Sequence, residues 1–486
     1  MFHCTRAAPR FGAVLLAAGL AFPVHAEATV EGAAELTAVF QTYLGKVEGV
    51  VSVVPEGEVY RVSLDAAPLA ALAGGQVTVS GTPFVFTLED KGDGTWAYAQ
   101  DQAISLELHV PGTLDMMLAA DRLVGTGTYD SGMMAFREAS STMTGMVLDQ
   151  TATEPGGGSS TTHQTLAEVV FNSTSTAADL GGVDNVFTMS ARDSVQAMTM
   201  PATDGVPAME MTYSVARSTS EGRSSGYRPE AVLALLAWAV AHPSEAAMTA
   251  DRAGLKGLIE QGMPFFRDMQ ATAGWEDFSA TTPFGVFGLA SMQGEFAMNG
   301  LVADGKLREA FRLKGFTLPA GLVPDWAVPL VPEELALDLT FADFDAAAAV
   351  RVLAGLLDLP AGQEPSPAFQ DELLAALMPE GAMDFLLGPG GVKNASYDLT
   401  WQGSLRAGPA TPMPTGSAMV TLTGMDAVMA ALQSAPPDMG GQVLPVLGMA
   451  QAMAKPGADG ALVWEIEAAT PGSLKVNGTE MMGAPQ

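Results

Sequence analysis

Leu335-Ala-Leu-Asp-Leu-Thr-Phe341, followed by Asp343-Phe344-Asp345 and then an Ala/Val/Leu run to Leu357, is the stretch that decides the fold. The first seven residues read as a strand. In the run that follows, Val350, Leu353 and Leu357 are spaced for one face of a helix. Asp345, or Asp343, stands where a carboxylate accepts from the orphan N–H groups of a first helical turn. A strand therefore feeds directly into an amphipathic helix. Val59-Tyr-Arg-Val-Ser-Leu64 repeats the unit with Asp65 and an Ala/Leu run to Ala73. Ala418-Met-Val-Thr-Leu-Thr423 repeats it again with Asp426 and a run to Gln433, in which Val428, Met429 and Leu432 share a face. Two explanations are open: an internal repeat, or a connection common in any mixed fold. The three copies, taken as a repeat, suggest an extended sheet with helices packed on one face.

Outward from these units most of the chain reads as strands, at 76–89, 104–110, 143–150, 186–190, 284–289, 294–300, 308–316 and 396–401. Asp93-Gly94 ahead of Thr95-Trp96-Ala97-Tyr98 is a hairpin-type signal. Glu154-Pro-Gly-Gly-Gly-Ser-Ser160 is a flexible joint, either a linker or a long hairpin loop. Pro229 suits the first position of a helix running to His242. Ser244 suits the cap of a second helix through about Met269, with Leu255, Leu258, Ile259 and Met263 on one face. The expected fold is β-rich α+β: an extended curved antiparallel sheet, or sheets, with short helices packed on one face and a two-helix insert. The expected divisions are a signal peptide (1–26), an N-terminal strand-rich region (27–155), a second strand-rich region (156–228), a helical segment (229–275) and a C-terminal strand-rich region (276–480).

Composition narrows the function classes. The 486 residues are 48% hydrophobic and 16% charged, with 54 acids against 23 bases and a net charge of −31. An acidic chain of this kind lacks the basic surface that neutralises phosphates, so no nucleic acid partner is expected. Arg6 and Arg10, the apolar run 12–22 and Val24-His25-Ala26 read as a secretory signal cleaved after Ala26, which places the mature chain in the periplasm or outside the cell. Cleavage removes Cys4, the single cysteine, and with it any disulfide, thiolate nucleophile or Cys-ligated metal. The apolar run 231–241 is about half the ~20 residues a membrane-spanning helix needs and reads as a buried helix, so no transmembrane segment is expected in the mature chain.

Catalytic patterns are absent from the sequence: there is no G-x-S-x-G elbow, H-E-x-x-H pair, Walker loop or EF-hand loop. Carboxylate pairs occur at Glu333 and Glu334, Asp343 and Asp345, and Glu465 and Glu467. The last pair alternates with Leu462, Trp464 and Ile466, as on the solvated face of a half-buried strand. His109, His163 and His242 each stand alone in sequence. No catalytic residue, cofactor or metal ligand is therefore assigned, and the chain reads as a non-enzyme. Three sequons, at Asn172, Asn394 and Asn477, carry no assigned role. Methionine is the unusual feature, 28 residues in all. Met198-Thr-Met200 and Met209-Glu-Met211 each put two thioethers on one strand face. Three explanations are open: plastic core filling, which the scatter of Met through the chain favours; a soft copper(I) site; or an adaptable surface for acyl chains.

Ser396-Tyr-Asp-Leu-Thr-Trp-Gln-Gly403, Gly416-Ser-Ala-Met-Val-Thr-Leu-Thr-Gly424, Ala461-Leu-Val-Trp-Glu-Ile-Glu467 and Leu474-Lys-Val-Asn-Gly478 form one pattern. Together they resemble the closing hairpin of exported bacterial families of unknown function with long curved sheets, the YdgA-like and AsmA-like envelope proteins. The resemblance implies a soluble periplasmic sheet protein with an envelope-related role and brings no catalytic residues. AsmA-like proteins keep an N-terminal anchor, where this chain reads as cleaved. The resulting expectation is a protein that presents an apolar sheet face to a lipid or other hydrophobic ligand. The alternative is a scaffold that engages an envelope protein through its acidic surface.

Overall fold

The computed structural model describes residues 27–70, 77–153, 158–202, 207–360, 363–409 and 411–482. The signal-peptide reading (1–26, with Cys4), the end of the first Ala/Leu run (71–73) and residues 154–157 of the glycine joint lie outside them. Helix α1 (Val30–Leu44) is capped by Thr29, whose hydroxyl accepts from the Gly32 N–H. Then come β1 (Val51–Glu56), β2 (Val59–Leu64), the single turn α2 (Ala67–Ala70), β3 (Thr78–Gly81) and β4 (Phe84–Asp90). Six long strands follow: β5 (Thr95–Val110), β6 (Leu114–Asp130), β7 (Ala135–Thr153), β8 (Ser159–Ala177), β9 (Val183–Met200) and β10 (Met209–Tyr227). Helices α3 (Pro229–Ala241), α4 (Glu245–Ala250) and α5 (Arg252–Gly262) precede β11 (Asp268–Thr282), β12 (Gly285–Met298), β13 (Gly305–Thr317) and β14 (Glu334–Phe344). After α6 (Ala346–Gly355) and α7 (Phe369–Leu377) come β15 (Met383–Lys393), β16 (Asp398–Gly408) and β17 (Thr411–Thr423). Helices α8 (Met425–Gln433) and α9 (Pro437–Met453) lead to β18 (Lys455–Pro456), β19 (Leu462–Ala468), β20 (Leu474–Val476) and β21 (Thr479–Met482).

From β5 to β17 each strand pairs antiparallel with its neighbours in sequence, and β19 pairs with β17. The result is one open β-rich sheet, 54% strand and 23% helix. β7 pairs with β8 across the expected division near 155, and Trp275 and Glu276 both lie within β11. Thr153 of β7 faces Ser159 of β8, so the glycine joint connects a hairpin. Asp93-Gly94 closes the β4–β5 hairpin, with Gly94 at φ 86°.

Several boundaries differ from the sequence expectation. The strand expected at 76–89 is two, because Thr82-Pro83 interrupts it and proline cannot donate to a ladder; β3 and β4 share the edge of β5. The strands expected at 284–289 and 294–300 are one, β12 (Gly285–Met298). The helix expected from Ser244 to Met269 is α4 and α5. Ser244 does cap α4, accepting from the Ala247 N–H. However, the helical segment ends at Gly262, ahead of Met263-Pro264, and 268–275 belong to β11. Of the three carboxylate caps, Asp345 accepts from the Ala348 N–H at 2.7 Å and heads α6 as expected. Asp65 accepts from Ala67, at a helix of one turn. Asp426 caps nothing, since α8 starts from Gly424 in the left-handed region (φ 78°) and Asp426 lies inside the first turn.

The strands from β6 to β13 share one interrupted row. By the register on either side of it, the row contains Asp121, Gly145, Ala167, Asp193, Ala216, Asp277, Ala290 and Gly315, one from each strand. On alternate strands the residue is left-handed: Gly145 (φ 63°), Asp193 (φ 54°), Asp277 (φ 53°) and Gly315 (φ 67°). Glycine adopts this conformation freely and aspartate tolerates it. Crossing the row reverses which side chains are sheltered. In β10 the less exposed positions are Ser218, Ser220, Gly222 and Ser224 on one side of it, and Met209, Met211, Tyr213 and Val215 on the other. Trp275 and Phe278, three apart and on opposite faces of an ordinary strand, stack here at 6.1 Å across Asp277. Phe278 in turn stacks on Tyr213 at 6.4 Å. Like a bulge re-aiming its strand, the row keeps the apolar residues of both halves on one side of the sheet.

Helix α1 covers the first part of that apolar side. Phe40 meets Phe86 at 6.0 Å, and Phe86, Tyr98, Phe136 and Tyr129 continue the cluster across β4 to β7. The turn from β6 to β7 hangs on Asp130. Its carboxylate accepts from the Gly132 and Met133 N–H groups and from Arg137. Burial pushes this carboxyl up, and the two backbone donors with Arg137 outweigh it, so its pKa lies below the usual carboxylate range. Stability from a depressed carboxyl is complete above the unfolded value near ~3.9 and is lost as pH falls through the folded value. Asp130→Asn should destabilise by about 2 kcal/mol at neutral pH, a deficit that shrinks in denaturant titrations below about pH 4.

Candidate functional site: an apolar row ending in a cavity

Two residues from the left-handed row, toward the β10–α3 end of the strands, the register aligns Leu123, Met143, Val169, Ala191, Ser218, Trp275 and Met292 on successive strands from β6 to β12. The same row continues through Leu313, Leu335, Val392, Leu399, Leu422 and Leu462 to β19. Twelve inter-strand steps of ~4.8 Å make it roughly 58 Å long. Ser218 alone is polar. Packing over this side is thin: among the described residues Val62 is the one large side chain fully shielded from solvent. Met189, Trp275 and Phe311 on the same side remain 42%, 41% and 40% exposed.

The row ends beneath α9. Leu399, Val420, Leu422, Trp464 and Ile466 form a floor, and Leu447, Ala450 and Met453 of α9 form a roof, around a cavity of ≈ 670 Å³. None of its lining residues is charged. Its two polar groups are already engaged: the Trp464 indole N–H donates to the Ala450 carbonyl at 2.8 Å, and the Tyr397 hydroxyl donates to the Leu330 carbonyl at 3.0 Å. Asn394 and Asn477, two of the sequon residues, hold the adjoining turns; the Asn394 amide donates to Pro329 and Val331 and that of Asn477 to Met453 and Val463. The roof is an unusual helix, with Pro445 inside it and Gly441 and Gly448 on either side. Val446 and Met449 of the same helix also line the cavity and remain 58% and 57% exposed, so it opens to solvent on that side.

The other side of the sheet is polar. Near the hairpin ends of β5 to β10 a groove of ≈ 750 Å³ is lined by Glu107, His109, Asp115, Asp149, His163 and Glu210 among threonines. His109 Nδ1 is hydrogen-bonded to Asp115, and His163 Nδ1 to Asp149 at 2.6 Å. Sequence reasoning treated both histidines as isolated. The sheet brings each opposite an aspartate of the adjacent strand and both into one groove. Glu465 and Glu467 are exposed on β19 as expected, Glu465 paired with Lys455 at 2.6 Å. Met198 faces Met211 and Met200 faces Met209 across β9 and β10. All four are half-buried, so they fill no closed core. Among the described residues no three His, Cys, Asp or Glu side chains group as metal ligands, and no helix is long and apolar enough to cross a membrane. No protein-family model, curated protein or solved structure matches the chain.

Proposed function

We propose that this chain is an exported, non-enzymatic protein that holds the hydrocarbon part of a lipid on its apolar sheet side, with the end of a chain seated beneath α9. The observation that carries this reading is the transverse row of apolar residues leading into an uncharged cavity of ≈ 670 Å³, within the size range of small-molecule sites. Having no cation in its lining, the cavity favours neutral alkyl or isoprenoid chain over a carboxylate or phosphate head, which stays outside. At ~0.8 kcal/mol per buried methylene, twelve methylenes supply roughly 10 kcal/mol. Association offsets at least ~4 kcal/mol of that, which leaves affinity in the tens of micromolar. The N-terminal signal reading and the likeness of 396–478 to exported envelope families support the location.

The test is native mass spectrometry and solvent extraction of the purified full chain, with uptake of N-phenylnaphthylamine as a solution probe. Co-purifying acyl lipid and saturable uptake are expected. A clean apo-protein that takes up no probe removes the reading. The second reading, a scaffold that engages a partner protein through its acidic surface, is favoured by the groove around Asp115 and Asp149. Capture from envelope extracts should then weaken as salt shortens the screening length to ~10 Å at 0.1 M.

A further inference from the structure

The geometry points to a soft monovalent metal site, for copper(I) or silver(I), in the square formed by Met198, Met200, Met209 and Met211. Each strand contributes two thioethers to one face, because residues two apart in a strand share a side. The β9–β10 register then sets Met198 directly opposite Met211 and Met200 directly opposite Met209. Directly opposed Cβ atoms stand ~4.5–5.5 Å apart, and each methionine side chain has three rotatable bonds beyond its backbone. Four sulfurs can therefore turn onto one ion between the strands.

Three further observations select the ion. The four side chains are half-buried, so the sulfurs are shielded without being sealed in a core. The backbone of Met198 and Met211 borders the polar groove, but strand alternation turns Thr199 and Glu210, paired with each other, to the opposite face, so neither strand adds a carboxylate to the face of the square. Tyr213 donates its hydroxyl to Met211 Sδ at 3.3 Å, which orients that sulfur and occupies one of its lone pairs while the second stays free. Neutral thioethers bind hard or borderline divalent ions poorly and suit copper(I). The net charge of −31 raises the local concentration of any cation.

The experiment is an anaerobic titration of the full chain with copper(I) held by bicinchoninate, repeated with silver(I) as a redox-silent probe. One equivalent of metal should be withdrawn from the chelator. The pair Met198→Leu with Met211→Leu should weaken retention by at least ~100-fold, beyond what loss of an outer-shell partner does. Leucine at all four positions should abolish it. Met189→Leu with Met292→Leu, on the same side but away from the square, should retain the full equivalent. A wild-type chain that withdraws no metal overturns the proposal, as does a fourfold leucine variant that binds like wild type. Should the leucine variants fail to fold, peroxide footprinting of the wild-type chain decides: silver(I) must protect these four methionines from sulfoxide formation more than Met189 and Met292, and equal oxidation overturns the site.

Discussion

Gly145→Val is expected to destabilise the sheet by about 3–5 kcal/mol. Two terms add. A side chain in the left-handed region costs ~1–2 kcal/mol, with a β-branched one at the upper end. A Cβ at position 145 would also lie 2.1 Å from Asp121 Oδ2 and 2.5 Å from its Cγ, an overlap that forces repacking worth about 1–3 kcal/mol. The terms can be separated. Gly145→Val combined with Asp121→Gly should recover the steric part and leave the conformational part. Asp277→Gly, which keeps φ at 53° with a residue suited to it, should stay within about 1 kcal/mol of wild type. Denaturant unfolding measures all three. A Gly145→Val protein as stable as wild type would mean that the row is not left-handed in solution, and the continuity of the apolar side would lose its cause.

The row also shows where sequence reading reaches its limit. Strands, hairpins and the Asp345 cap are local events within a few residues, and they were legible. Gly145, Asp193, Asp277 and Gly315 are ordinary turn formers, one on every second long strand from β7 to β13, and nothing along the chain reveals that the register aligns them. The apolar row from Leu123 to Leu462 is hidden for the same reason, since consecutive members lie on different strands. Asp426 misled because a carboxylate just inside a helix resembles one just before it, and Gly424 took the terminal position instead. The histidine pairs were within reach. His109 and Asp115 stand symmetrically about the turn between β5 and β6, so a hairpin centred there would have paired them.

The cavity beneath α9 makes the second large prediction. Val420 sits in its floor opposite Trp401 on one strand and Trp464 on the other, and Val428 of α8 lines its wall. Tryptophan at either position displaces roughly three methylene groups of a bound chain, which at ~0.8 kcal/mol each removes about 2.4 kcal/mol of binding. Val420→Trp with Val428→Trp together remove about 5 kcal/mol, more than ~1000-fold, and should take probe uptake beyond detection. Because the added rings enter existing space, thermal stability should be kept or raised. Thr219→Val, on the polar side of the sheet, should leave uptake as it was. Loss of uptake together with loss of stability would mean only that the sheet had been damaged. Unchanged uptake in a stable double variant would move the ligand off the cavity altogether, onto the open row around Met189, Trp275 and Phe311. Loss of uptake at full stability is the one combination that seats the chain under α9, because only there does filling the space compete with the guest without disturbing the sheet.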